Sequence, residues 1–388
     1  MHILFLPRWY PNRYDPMPGL FIQQLAEALA PRCLVSVLYV HQVDGDFSGA
    51  VEVDQAVEKS VKVVRIYYCS SRSPVGIFRK IFNFSRFIRA HLKGLALIRS
   101  VNGKPDFFHV HVLTRNGVAA NLLSHLSGVP YIITEHWSRY FEKNNTYRGG
   151  IRRWITSCVV RKAVALTAVS EILMVALNRN GLVNRVQRVI PNAVDMKRFH
   201  LPVSGSRYHI TRFIHISCMD DRSKNISGIL RVISVLSKNR NDFEVHMVGE
   251  KTDLAFLKNL SVQLAIDPSI LKFEGLLVGE QLTEILRNSD ASILFSHYET
   301  FGTVIIESLS SGVPVISTAV GVAPEVINKG NGILLSPGDE NALLAAMNEI
   351  IEGKIIYDKE QIRQSVRQFD VEEVSRCWME LYGDILRK

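Results

Sequence analysis

The chain has 388 residues and a mass of 43.8 kDa, more than a single core of about 150 residues usually fills, so two domains are expected. Apolar residues make up 47% and charged residues 21%, which excludes an intrinsically disordered chain, and no run approaches the ~18 apolar residues of a membrane-spanning helix. The net charge of +9 is uneven: residues 1–190 carry +14 and residues 191–388 carry −5, so an anionic partner is expected for the first half only.

In chain order, the opening Met-His-Ile-Leu-Phe-Leu has no basic leader and breaks at Pro7, so it reads as a first strand rather than a signal peptide. Further strands are predicted near 33–40, 62–67, 107–112, 130–134, 164–168 and 187–190. Helices are predicted between them at 19–30, 76–100, 116–127, 151–162 and 170–179. The second half repeats the alternation. Its strands lie near 212–218, 243–248, 270–274, 291–295, 313–317 and 332–335, and its helices near 225–238, 253–265, 279–288, 303–311 and 339–352. Strand–helix alternation requires crossovers, hence mostly parallel sheets covered on both faces. The expected fold class is therefore α/β, with two doubly wound, Rossmann-like domains. Their boundary is placed at 190/191, where Pro191 and Asn192 end a strand and loop-like residues continue through Gly205. Residues 371–386 space Val371, Val374, Trp378, Leu381, Tyr382 and Ile385 as one apolar helix face.

Five cysteines, odd in number and widely spaced, argue against a disulfide framework or a structural zinc site and fit a reduced, cytoplasmic chain. No His/Asp cluster has metal-ligand spacing, so no metal is expected. No Gly-x-Gly-x-x-Gly follows the first strand, so no dinucleotide redox cofactor is expected.

The segment that carries most chemistry runs from Ser296 to Leu309. It follows an apolar strand and opens a helix near Gly302, whose first amides suit an anion such as a diphosphate. Glu299 lies just before that helix and Glu307 within its first two turns. Carboxylates accept paired hydrogen bonds from vicinal hydroxyls, as on ribose or a sugar. From spacing alone, both read equally as solvated carboxylates favoured by the helix dipole.

Glu299-x7-Glu307, then Ser311-Gly312-Val313-Pro314-Val315-Ile316-Ser317 and Gly321-x3-Glu325, resembles the signature of the family 4 (group 1) retaining glycosyltransferases. Further matches are Val189-Ile190-Pro191-Asn192-Ala193-Val194-Asp195, Val248-Gly249-Glu250, Phe273-Glu274-Gly275 and Asn331 to Asp339, in order along nearly the whole chain. The resemblance implies the GT-B architecture, two Rossmann-like domains facing across a cleft. It assigns the nucleotide-sugar to the 191–370 domain and the acceptor to the 1–190 domain, with helix 371–386 packing back on the latter.

Carried over residue by residue, Glu307 would hold the ribose hydroxyls and Glu299 the donor-sugar hydroxyls beside the reacting carbon. Thr300, Phe301, Gly302 and Thr303 would cradle the distal phosphate and sugar through their backbone. Lys224 would neutralise the departing diphosphate. A lysine at a helix start would otherwise oppose the helix dipole. The family arginine five or six residues earlier is missing, since Cys218 and Met219 stand there, and Arg222 is the nearest substitute. In the first half, His136 resembles the histidine that touches the donor sugar near its reacting carbon, and Gly19 the glycine loop against donor and acceptor. A lone histidine is equally a satisfied core residue, and Gly19 an ordinary helix cap. His111 ends a neighbouring strand and could line the acceptor side.

Between Lys59 and Pro105 stand 11 basic residues and no acidic one. Within this block residues 77–100 space Ile77, Ile81, Phe84, Ile88 and Leu92 as a stripe that can cover the sheet or lie on an anionic membrane surface. No recognition motif accompanies the charge, so nucleic acid is not expected.

The expected activity is transfer of a hexose-type sugar from a nucleoside-diphosphate sugar to a glycan or lipid-linked acceptor. It would be metal-independent and retaining, in cell-envelope or capsular polysaccharide synthesis, on the inner face of the membrane. A sugar-nucleotide epimerase of the same fold, or a catalytically silent membrane-associated partner subunit, are the alternatives.

Overall fold

A computed structural model describes residues 1–44, 51–71, 75–144, 146–201, 210–250 and 253–387. Part of the basic block (72–74) and most of the loop after the expected boundary (202–205) lie outside these residues. The chain divides into two compact units, Met1–Ala193 with Val374–Lys388, and Val194–Glu373.

Unit 1 is built on an eight-stranded sheet. In chain order its strands are β1 (His2–Pro7), β2 (Leu34–Val43), β3 (Val51–Glu58), β4 (Val61–Cys69), β5 (Phe107–His111), β6 (Tyr131–Glu135), β7 (Ala165–Ala168) and β8 (Gln187–Val189). They lie in the order β3-β4-β2-β1-β5-β6-β7-β8, parallel except for β3, which runs antiparallel to β4 at the edge. The helices α1 (Leu20–Leu29), α2 (Gly76–Asn102), α3 (Thr114–Ser127), α4 (Gly150–Lys162) and α5 (Glu171–Arg179) connect the strands. Strands such as β1, β5 and β6 are buried along their whole length, as expected of parallel strands covered on both faces.

The β3–β4 hairpin is the main departure from the sequence-based reading. Val51, Val53 and Val57 alternate with Glu52, Asp54 and Glu58, and the intervening Lys59 and Ser60 both take positive φ, 42° and 71°. That is the backbone of a two-residue turn matched to strand twist. The positive φ is reached without Gly or Asn, so the usual turn signal is missing.

Unit 2 carries a six-stranded, all-parallel sheet, ordered β11-β10-β9-β12-β13-β14. Its strands are β9 (Thr211–Ile216), β10 (Phe243–Val248), β11 (Leu271–Gly275), β12 (Ala291–Leu294), β13 (Val315–Thr318) and β14 (Gly332–Leu335). Its helices are α6 (Asp221–Lys224), α7 (Ile226–Ser237), α8 (Leu254–Gln263), α9 (Glu280–Arg287), α10 (Thr303–Ser310), α11 (Ala323–Val326), α12 (Glu340–Ile351) and α13 (Lys359–Gln364). One core of Phe213, Ile229, Ile233, Val245, Ile293 and Leu343 ties the sheet to α7 and α12. The short helices α6, α11 and α13 are too brief for a periodic signal in the sequence. The order reverses between β9 and β12, so loops at the carboxyl ends of these two strands diverge and leave a crevice.

The last helix, α14 (Val371–Leu386), begins in unit 2 and continues in unit 1 from Val374. There Trp378 and Tyr382 are fully buried. The Tyr382 hydroxyl lies 2.7 Å from His109 Nδ1, and the Trp378 ring packs on the His109 ring with centroids 4.7 Å apart.

Candidate active site

In unit 2 the loop from Ser296 to Gly302 leaves the carboxyl end of β12 and is pinned on three sides. The Thr318 hydroxyl donates to the Ser296 carbonyl at 2.7 Å, and the His297 amide to the Ser223 carbonyl at 2.8 Å. The Val322 amide reaches the Phe301 carbonyl at 2.8 Å. Gly321, at φ 56°, lies so close beneath that an added Cβ would stand 2.3 Å from the Phe301 oxygen. Only glycine combines that left-handed backbone with that approach. Gly302 enters α10 at φ 87° and, as the residue in the cap position, brings no side chain to the first amides of this helix, whose first residue is Thr303.

This scaffold places Glu299 against Lys224. The Lys224 ammonium donates to Glu299 Oε1, and the Ser296 hydroxyl donates to the same oxygen at 2.9 Å. The two charged side chains are only 18% and 11% exposed. Burial opposes the Lys224 charge, but Glu299 more than offsets it and the pKa is raised. Removing either partner of a pair so enclosed would leave the other charge buried and uncompensated. Ser296 and Asp220, which accepts from the Ser223 hydroxyl at 2.6 Å, are supporting residues not singled out in the sequence. Their neighbours in the motif were the only signal.

Glu307 is held differently. Burial pushes its carboxyl up to about 7, with Arg198 drawing it back. Arg198 has no sequence signal, because it lies over a hundred residues from Glu307. Arg222 is exposed on α6, and its charge is felt by the Tyr298 hydroxyl. The two positions of the missing arginine differ: Cys218 is exposed, whereas Met219 is fully buried at φ 50°. The Met219 amide donates to Ser217 Oγ at 3.1 Å, so this corner is filled by packing and a turn rather than by a cation.

In unit 1, His136 follows β6 and is buried, with its Nε2 3.1 Å from His111 Nδ1. Burial lowers its pKa to about 3, so the ring is neutral. His136 Nδ1 has no hydrogen-bond partner among the described residues. With Thr134, Phe21, Pro191, Asn192 and Trp378 the ring lines a small cavity within unit 1, which brings residues 190–193 beside His136. His111 is wholly buried and stacks on both His109 and His136, so it backs His136 instead of meeting solvent. Beneath them, Glu135 accepts bonds from the amides of Leu113, His136 and Trp137 and from the Tyr140 hydroxyl. Burial raises the Glu135 pKa, and these donors pull it down. Its placing of the His136 backbone was not legible in the sequence. Gly19 caps α1 at φ 77°, where an added Cβ would stand 2.2 Å from the Trp9 oxygen, so the glycine is fixed by the Trp9–Tyr10 backbone.

Among the described residues no group of three His, Cys, Asp or Glu could hold a metal ion, and no helix is long and apolar enough to cross a membrane.

Residues 213–368 match the family described as glycosyl transferases group 1, and residues 18–193 match the glycosyl transferase 4-like domain. The chain belongs to the group 1, family 4 glycosyltransferases. It is 25% identical to the N-acetyl-alpha-D-glucosaminyl L-malate synthase of Bacillus anthracis over 73% of this chain and 75% of that protein. It is 23% identical to the putative teichuronic acid biosynthesis glycosyltransferase TuaC of Bacillus subtilis over 93% of this chain and 90% of that one. The solved structure of the Anabaena protein HepE with UDP and glucose superposes with a TM-score of 0.72 at 18% identity, covering 99% of this chain and 100% of the other. The fold is GT-B, and the chain is a glycosyltransferase.

Proposed function

We propose that this glycosyltransferase moves a hexose-type residue from a nucleoside-diphosphate sugar to an acceptor hydroxyl with retention at the anomeric carbon. Unit 2 binds the donor and unit 1 the acceptor. The observation that carries the reading is the enclosed Lys224–Glu299 pair beside the start of α10, where glycine holds the cap position. A donor diphosphate at that helix start takes Lys224 as counter-ion, releasing Glu299 to accept from sugar hydroxyls. The lysine then stabilises charge that grows as the diphosphate departs. Glu307 holds the ribose, and the backbone of Thr300, Phe301, Gly302 and Thr303 holds the distal phosphate and sugar.

Arg222 replaces the missing arginine from α6, where an exposed side chain can swing onto phosphate. His136, neutral, contacts the donor sugar, with Gly19 shaping the loop beside it and His111 supporting it from the acceptor unit. The reaction needs no metal and proceeds by same-face attack, the leaving phosphate taking the acceptor proton. The HepE complex with UDP and glucose supports a UDP-sugar donor, and TuaC supports a role in polysaccharide assembly at the cell envelope. The first turns of α2 leave Ile77, Phe78, Ile81 and Phe82 more than half exposed among Arg79, Lys80 and Arg86. That face suits peripheral attachment to an anionic membrane from the cytoplasmic side.

The test is a thermal-shift panel of UDP, GDP, ADP and their sugar conjugates, repeated with Glu307→Ala. One base should stabilise the parent by about 2.7 kcal/mol at a hundred times its dissociation constant, and the shift should vanish in the variant. Equal shifts in parent and variant would remove Glu307 from the donor site. With the donor known, the anomeric configuration of the product, read by NMR, decides retention.

A further inference from the structure

A second cavity in unit 1, of about 560 Å³, is lined by Arg8, Arg115, Arg139 and Arg152 together with Trp137 and Tyr147. The four arginines come from four separate segments: the residue after β1, the first turn of α3, the 3-10 turn Ser138–Tyr140, and the first turn of α4. Gathering like charges costs free energy unless something neutralises them. Their protein partners are neutral. Arg8 donates to the Thr114 hydroxyl at 3.1 Å, Arg139 and Arg152 reach the Thr146 carbonyl at 3.4 and 3.5 Å, and Arg115 adjoins the Tyr68 hydroxyl. Arg8 and Arg139 also lie over the Trp137 ring, at 4.7 and 4.2 Å from its centroid.

Among the described residues no carboxylate forms an ion pair with any of the four. Glu135 is the carboxylate whose charge reaches Arg8, and its oxygens already accept four bonds from protein donors. The Arg8 pKa is lowered by burial and then by Arg115 and Arg139. Two buried donors, Arg8 Nε and Arg139 Nε, have no hydrogen-bond partner among the described residues.

We propose that this cavity binds a phosphate or diphosphate group carried by the acceptor, so that the acceptor substrate is an anion. Planar forked guanidiniums match phosphate oxygens two at a time, which the compact lysine ammonium does not. The assignment rests on the reading of unit 1 as the acceptor unit. The phosphate can come from a soluble sugar phosphate or from a lipid-linked diphosphate. In the second case the apolar chain would pass over Phe84 and Ile151, lining residues that are 39% and 79% exposed.

The experiment is calorimetric titration of the full chain with inorganic diphosphate, farnesyl diphosphate and the nucleoside diphosphate selected by thermal shift. The variants are Arg115→Gln with Arg152→Gln, both exposed and therefore tolerated by the fold, and Arg139→Lys, which keeps the charge and loses the fork. Lys224→Ala serves as the donor-site control. Binding of inorganic diphosphate should weaken about tenfold for each guanidinium removed, and also in Arg139→Lys. It should persist in Lys224→Ala, and nucleoside-diphosphate affinity should be unchanged in the arginine variants. Inorganic diphosphate bound equally well by parent and double variant, or not bound by the parent, overturns the proposal. Arginine-dependent diphosphate binding without any nucleotide binding would sustain the cavity and remove the donor reading instead. Farnesyl diphosphate binding at least tenfold tighter than inorganic diphosphate identifies the lipid-linked source, and equal binding the soluble one.

Discussion

Both units carry a buried polar cluster near strand ends, yet they treat charge in opposite ways. In unit 1 the imidazoles of His109, His111 and His136 are neutral, because burial lowers all three pKa values and their partners are hydroxyls and one another. In unit 2 Lys224 and Glu299 form an enclosed ion pair, and Glu299 more than offsets the burial that opposes the Lys224 charge. A neutral cluster can orient a substrate but cannot counter a phosphate, whereas a charged pair can exchange partners when a phosphate arrives.

The largest effect expected from breaking this contrast is at Lys224. Lys224→Ala leaves Glu299 enclosed without its cation and removes the diphosphate's counter-ion, so kcat should fall by about a hundred- to a thousandfold. Steady-state rates on the donor found by thermal shift measure it, and a loss under tenfold would remove Lys224 from the leaving-group role. Next is Trp378→Ala, which opens a cavity beside His109 and should destabilise unit 1 by about 3–5 kcal/mol. Denaturant titration followed by fluorescence of residues in each unit should show unit 1 unfolding first. Gly321→Ala should cost about 1–3 kcal/mol, since it adds strain at a left-handed backbone and pushes on the Phe301 carbonyl. Its melting temperature and donor affinity should fall together.

The last effect is on pH dependence, and its sign separates the clusters. His136 has a folded pKa of about 3 against 6.5 unfolded, so the unfolded chain binds more protons between these values. Its contribution to stability is full above pH 6.5 and is lost as pH falls through that window. Glu307 has a folded pKa of about 7 against 4.5, so the folded chain binds more protons there. Its contribution is full below pH 4.5 and is lost as pH rises toward 7. Glu307→Gln should therefore flatten the decline between pH 4.5 and 7 while leaving the acid-side loss in place. Equal pH slopes for parent and variant would remove the raised Glu307 pKa.

The unit 2 loop was legible because one contiguous stretch carries it. Ser296 through Glu307 follows an apolar strand, opens a helix at a glycine, and keeps its two carboxylates at fixed spacing. The alternating α/β pattern was legible for the same local reason. What escaped depends on pairing across distance. The β3 edge strand lacked a glycine turn, Glu135 ends β6 without a motif of its own, and the four arginines of the unit 1 cavity span Arg8 to Arg152. In α2 the stripe at Ile77, Ile81 and Phe84 has the spacing of a core face but is exposed, and the buried residues begin at Phe87. Periodicity reports that a face exists, whereas the sheet decides how much of the helix it covers.

The route of α14 bears on the order in which the protein is made. Trp378 and Tyr382 fill the core around His109, yet they leave the ribosome after the whole of unit 2. At roughly 5–20 residues per second, the intervening 180 residues keep that core open for roughly ten to forty seconds. During that interval Phe107 and His109 lack their final cover, so this part of the first core closes only when synthesis is nearly complete.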